Sequence, residues 1–249
     1  MYDLVLKNGT LVNEGKIYES DIAIKGDRIE LIASSINAES KQHLDLHGKH
    51  VLPGLIDDQV HFREPGLTHK GNIQSESRAG LAGGVTSYFE MPNVNPTTTN
   101  RENLQAKFDL AATKSHANYS FYMGASNTNI DEIKQLDHTL ACGLKVFMGA
   151  STGDMLVDDQ EILREIFLNT DLIIVVHSED EQIINQNLEK YKLKYNSNIP
   201  FDCHSKIRSE EACLKSTKKI IKLAKETNAR LHVFHLSTKN ESLLFQNDI

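Results

Sequence analysis

Residues 54–66 read GLIDDQVHFREPG. A short apolar run, Leu55 and Ile56, leads into a cluster of polar residues closed by Pro65-Gly66, the pattern of a buried strand that ends in a loop carrying chemistry. The same grammar recurs down the chain. Candidate strands cover 54–59, 85–91, 119–123, 143–148, 172–177 and 230–235. Between them lie stretches with apolar residues at helical spacing, among them 73–82, 130–136, 159–168 and 210–226. Strand, crossover helix, parallel strand is the βαβ unit, and its repetition predicts an α/β fold with a parallel sheet and helices outside. No glycine-rich phosphate loop follows any strand, which weakens the dinucleotide-binding version of such a sheet.

The polar residues decide between an open sheet and a barrel. They collect at the ends of different strands: Gln59, His61 and Arg63 after the first, Asn93 after the second, Lys145 in the fourth, His177 after the fifth and His235 after the sixth. Chemistry gathered at the C-terminal ends of several strands is the layout of a (β/α)8 TIM-like barrel. Period-two alternation places Gln59, His61 and Arg63 on one face; it pairs His235 with Val233 and turns His232 the other way. Taken singly, a histidine ending an apolar strand is more often a hydrogen-bonded structural residue than a ligand, and Arg63 or Asn93 reads equally well as a loop residue. Lys145 is harder to dismiss, because a bare ammonium between Leu144 and Val146 needs a partner or a route to water. Three imidazoles and a buried amine converging on one mouth suit zinc with open positions for water, and Arg63 with Asn93 suits an anionic group.

Upstream, residues 1–52 read as a small β-unit, with turns expected at KNG (7–9) and KGD (25–27). The organisation is thus a β-unit over 1–52 and an α/β domain over 53–249. The chain has 249 residues and a formal net charge of −7, with no basic stripe, which argues against a nucleic-acid binder. No apolar run is long enough to span a membrane, and the N-terminus lacks a signal-peptide core. Three cysteines without a CxxC pair give neither a disulfide framework nor a thiolate zinc site, so a reducing cytoplasm is expected.

Together GLIDDQVHFREPG (54–66), GGVTSYFEMPNVNPTT (83–98), GLKVFMGASTG (143–153), VVHSEDE (175–181), HSKIRSEEAC (204–213) and LHVFHLST (231–238) resemble the dihydroorotase branch of the amidohydrolase superfamily, in the expected order. Hydantoinases and allantoinases share the first-strand pattern and layout; REPG and MPN with Arg63 and Asn93 point to dihydroorotase most specifically. The resemblance implies reversible interconversion of dihydroorotate and N-carbamoyl-aspartate in pyrimidine biosynthesis, with a related cyclic amidase as the alternative. It also implies a ligand set: His61 and the Gln59 position for the more buried metal, carboxylated Lys145 as the bridge, and His177 and His235 for the second metal, with one or two zinc ions per chain. Arg63 and Asn93 would hold the substrate carboxylate. A homodimer is expected. A catalytically silent homologue partnering a transcarbamoylase is the reading from another class.

Two departures stand out. Gln59 occupies a position where the family carries histidine, and an amide oxygen is the poorer zinc ligand. The family's general-base Asp ends the eighth strand, whereas only six strands are read here. The expectation is therefore an N-terminal fragment, inactive alone, whose β-unit is half of a composite sandwich and whose catalytic base lies past Ile249.

Overall fold

In the computed structural model, residues 1–149, 154–157, 159–196 and 198–245 are described below. The chain divides into two compact units, Met1–Leu55 and Ile56–Ile249.

The first unit is a mixed five-stranded sheet. β1 (Tyr2–Asn13), β2 (Lys16–Lys25) and β3 (Arg28–Ala33) form an antiparallel meander, while β4 (Ser40–Asp45) and β5 (His50–Val51) pair with β1 in parallel. The KGD turn falls where expected, with Gly26 at φ 59°. The KNG stretch does not turn. β1 runs through it with a bulge between Leu6 and Gly9, where Asn8 takes φ 56°. An extra residue in one strand of an antiparallel pair bends the strand without reversing it. Here the displaced Asn8 N–H finds Asp21 Oδ1 at 2.9 Å, so the bulge leaves no orphan donor. The reversal comes instead at Glu14-Gly15, both at positive φ, as a two-residue hairpin turn requires. Val5, Ala23 and Ile36 make the small core.

The second unit is a six-stranded sheet in the order β11-β10-β9-β8-β7-β6, an arc of a TIM-like barrel. Its strands are β6 (Leu55–Val60), β7 (Val85–Glu90), β8 (Asn118–Gly124), β9 (Gly143–Phe147), β10 (Ile174–His177) and β11 (Leu231–Val233). Each lies within a few residues of its sequence-read span. From β7 to β11 each neighbouring pair of strands is parallel. Helices α1 (Ile73–Ala82), α2 (Arg101–Lys114), α3 (Ile130–Lys134), α4 (Gln160–Leu168), α5 (Glu181–Tyr195), α6 (His204–Ile207), α7 (Glu210–Thr227) and α8 (Lys239–Ser242) intervene. Side-chain caps start most of the longer ones: Asn72, Asn100, Asp159, Asp180 and Ser209 each accept a backbone N–H of the first turn. None of the described helices is long and apolar enough to cross a membrane.

Alternation along the strands sorts side chains into two layers. Phe121, Met123, Leu144, Val146, Ile174, Val176 and Val233 join the outer core with helix residues such as Leu104, Ile166 and Ile220. The intervening residues Tyr122, Val175 and Phe234 pack with Met91 on the inner side. Two aromatic edge contacts tie this inner layer, Phe89–Tyr122 and Tyr122–Phe234, at 6.2 and 5.8 Å between centroids. The sheet curls far enough for its outermost strands to meet: His232 Nε2 of β11 lies 3.7 Å from Asp58 Oδ2 of β6. The strand ends carrying polar residues are thereby brought around one mouth.

Candidate active site

The loop that follows β6 is fixed from three sides. Glu64 is buried; its Oε2 accepts Ile73 N–H at 2.9 Å and its Oε1 meets the Lys114 ammonium. Pro65 O accepts Asn95 N–H at 3.1 Å. Gly66 has φ +82°, and a Cβ there would stand 2.1 Å from Asn95 O. REPG and MPNVNP are therefore two halves of one packed turn, and only glycine fits at the crossing. Beneath it lies a wholly buried ion pair. Glu90, the last residue of β7, meets Lys107 of α2, which also donates to Met91 O at 3.0 Å; both side chains are 1 % exposed. Desolvation pushes the Glu90 carboxyl up, with the Lys107 charge and hydrogen bond and the nearby Phe62 and Arg63 N–H groups acting the other way.

This scaffold changes the reading of the first strand. β6 ends at Val60, and Arg63 takes φ 69°, so strand alternation does not carry Arg63 onto the face of Gln59. A positive φ at a non-glycine residue costs energy and persists only where surroundings impose it; the packed turn around Arg63, where Leu67 N–H donates to Arg63 O at 3.0 Å and Asn95 N–H to Pro65 O, is such a surrounding. Arg63 has no acidic partner among the described residues. Gln59 is half-buried, and its side-chain amide has no hydrogen bond among the described residues. His61 Nδ1 donates to Asn93 Oδ1 at 2.9 Å, which leaves the lone pair on Nε2. Asn93, read as a substrate ligand, is thus first an orienting group for His61. Desolvation and then the Arg63 charge, with smaller contributions from Lys145 and His235, bring the His61 pKa down to about 4. Charges on β9 and after β11 are therefore felt at the end of β6.

Lys145 sits on the inner face of β9, 1 % exposed, with its ammonium 4.7 Å from the ring centroids of both Phe147 and Phe234. No carboxylate pairs with it among the described residues. Desolvation alone lowers its pKa to about 7, which makes a substantial neutral amine fraction available at neutral pH. The ASTG end of its motif, 150–153, lies outside the described residues.

His177 ends β10, and His235 follows β11. Their ring nitrogens Nδ1 and Nε2 face each other at 3.1 Å. His235 gets there against the alternation rule: β11 stops at Val233, which belongs to the outer core, Phe234 packs inside, and His235 at φ 39° swings back to the mouth. His232, near Asp58, is not on a separate outer surface either. Desolvation, with the neighbouring His177 and Lys145 charges, lowers the His235 pKa. His204 does not approach the site; it is exposed and stacked on Phe201. Arg208, four residues later in the same segment, does. Its Nε donates to Glu179 Oε1 at 2.9 Å and its terminal nitrogen to Oε2, while Glu179 Oε2 lies 2.5 Å from His177 Nε2. Glu179 and Arg208 lay inside motifs already quoted, but only as sequence context; their 29-residue separation hides the pairing. His177, Glu179, Arg208 and His235 line one cavity of about 330 Å³.

The donor chemistry fits a zinc ion between the two histidines. Two nitrogen ligands at the usual ~2.0–2.1 Å in tetrahedral geometry stand roughly 3.3 Å apart, close to the 3.1 Å found between His177 Nδ1 and His235 Nε2. Among the described residues no three His, Cys, Asp or Glu side chains cluster as a complete metal site. Of the other expected ligands, His61 is of these types but does not cluster with the pair, and Lys145 and Gln59 are of none of them. Cys142, Cys203 and Cys213 are free thiols.

A family model described as dihydro-orotase-like matches residues 48–241. Among curated proteins, an allantoinase of Bacillus velezensis is 31% identical over 250 residues, covering 98% of this chain and 55% of that protein. An allantoinase of Desulfitobacterium hafniense is 33% identical over 242 residues, covering 95% and 54%. Among solved structures, the L-hydantoinase (dihydropyrimidinase) of Arthrobacter aurescens superposes with a TM-score of 0.93 at 28% identity, covering 98% of this chain and 55% of that one. The chain thus spans about half the length of the relatives it matches. On the family match and the shared barrel architecture, the chain belongs to the dihydro-orotase-like family.

Proposed function

We propose that this chain carries the metal-binding mouth of a zinc-dependent cyclic amidohydrolase that opens a ring amide or ureide of the allantoin or hydantoin kind. The observation that carries the reading is the facing pair His177 Nδ1 and His235 Nε2 at 3.1 Å, in a cavity that Glu179 and Arg208 also line, with Lys145 and His61 near enough for their charges to act on His235. The names of the relatives favour the ureide over other cyclic amides. A zinc ion held there supplies Lewis acidity for the ring carbonyl and for the attacking water. His61 offers Nε2 as a further donor because Asn93 holds its proton on Nδ1. Lys145, with its pKa brought down to about 7, is suited to combine with carbon dioxide and lose a proton, giving a carbamate anion that completes the ligand set. Gln59 contributes the weakest donor. Arg63, with no acidic partner among the described residues, is placed to bind a substrate anion or polarised carbonyl.

Arg63, with no acidic partner among the described residues, together with the side-chain amide of Asn93, favours a second reading: dihydroorotate, whose ring bears a carboxylate. One set of measurements separates them. Zinc content is measured on wild type, His177→Ala and His235→Ala; loss of zinc in both variants is expected, and zinc retained by both would sink the proposal. Binding of allantoin, hydantoin and dihydroorotate to the zinc-loaded protein then ranks the ring compounds. Preference for dihydroorotate that disappears in Arg63→Ala would move the assignment to the second reading.

A further inference from the structure

We infer that Glu179, braced by Arg208, is a positioning residue that fixes which ring nitrogen of His177 bears the proton. The inference rests on the metal reading above and concerns residues that reading does not use. A guanidinium has only donors and an ionised carboxylate only acceptors. Glu179 Oε2 lies 2.5 Å from His177 Nε2, a separation that requires a proton on that nitrogen. Arg208 also comes within 3.1 Å of His177 Nε2. Since both groups are donors, they are neighbours converging on the same carboxylate oxygen and are not partners of each other.

Arg208 grips both oxygens of Glu179, whose side chain is 8 % exposed, and so holds the carboxylate in one orientation. With Nε2–H committed to Glu179, the neutral imidazole has its lone pair on Nδ1, the atom that faces His235 Nε2. The opposite tautomer would aim an N–H at the metal position. A carboxylate behind a ligating histidine is a recurrent way to set ring orientation and basicity; here the brace comes from the segment between α6 and α7.

The test reads the tautomer directly. Long-range ¹H–¹⁵N correlation on zinc-free wild type at neutral pH should show His177 as the Nε2–H form. In Glu179→Leu combined with Arg208→Met, which removes the acceptor without stranding the guanidinium, the preference should collapse to a mixture. Finding Nδ1–H in wild type, or an unchanged tautomer in the double variant, would overturn the inference. Glu179→Gln, nearly isosteric and still an acceptor, should keep Nε2–H but weaken zinc binding by about 10- to 100-fold in competition with a chromophoric chelator. An affinity within about twofold of wild type would count against it. If wild type binds no zinc, the metal reading fails, while the zinc-free tautomer still decides for or against the clamp.

Discussion

Replacing Lys107 with methionine should be among the most damaging single changes in this protein, although Lys107 lies on a helix and touches no proposed ligand. Glu90 and Lys107 are each 1 % exposed, so removing the ammonium strands a carboxylate away from water. Its Oε1 already lacks a full hydrogen bond. Breaking a buried pair from one side typically costs about 3–5 kcal/mol. At about 2–4 °C per kcal/mol for a domain of this size, the melting temperature should fall by roughly 6–20 °C. The damage should also reach the site, because Glu90 ends β7 directly before the MPNVNP half of the turn and Lys107 also holds Met91 O. Thermal and urea denaturation of Lys107→Met, Glu90→Gln and the double variant give the test. Glu90→Gln with Lys107→Met keeps a neutral acceptor without a stranded charge, so it should recover more than half of the single-variant loss. A Lys107→Met variant within about 1 kcal/mol of wild type would refute the reasoning, since the cost of a buried unpaired charge could not then be so small.

Gly66→Ala should destabilise by at least about 2 kcal/mol, from αL strain and the clash with Asn95 O, read as a lower urea midpoint. Lys145→Met in zinc-free protein should raise stability by roughly 1–3 kcal/mol, because it removes a buried amine with no carboxylate partner among the described residues, while abolishing tight zinc binding; lower stability would contradict the site as described. In the first unit, burial raises the Asp21 carboxyl, but Lys7 and the N–H groups of Asn8 and Ile36 outweigh it and hold it below its ordinary 3.8. A depressed carboxyl contributes stability above that pH and loses it as pH falls below. Amide exchange in β1 and β2 should therefore accelerate on acidification beneath 3.8 in wild type and much less in Asp21→Asn.

Periodicity was enough to locate all six strands of the α/β unit, because each carries apolar residues bounded by polar ones; β9 is buried along its whole length, while Leu55 and Ile56 of β6 are exposed. It found α1, α4 and α7 to within a residue or two, where caps and an apolar stripe agree. It gave no sign of α2, whose buried stripe of Leu104, Lys107 and Ala111 contains a lysine. The charge that hides the helix from a hydrophobic pattern is the one that pairs with Glu90. Histidines at strand ends were likewise legible one by one, since a polar residue closing an apolar strand is a local signal. What brings them together was not. His235 reaches the mouth through a positive φ that breaks alternation, Arg63 lies in a turn at positive φ, and Glu179 meets Arg208 across 29 residues. Local patterning records which residues a strand buries. Backbone conformations outside the regular regions, and pairings between charges far apart in the chain, are decided by packing around them, so they exist only once the sheet has curled and the helices have closed over it.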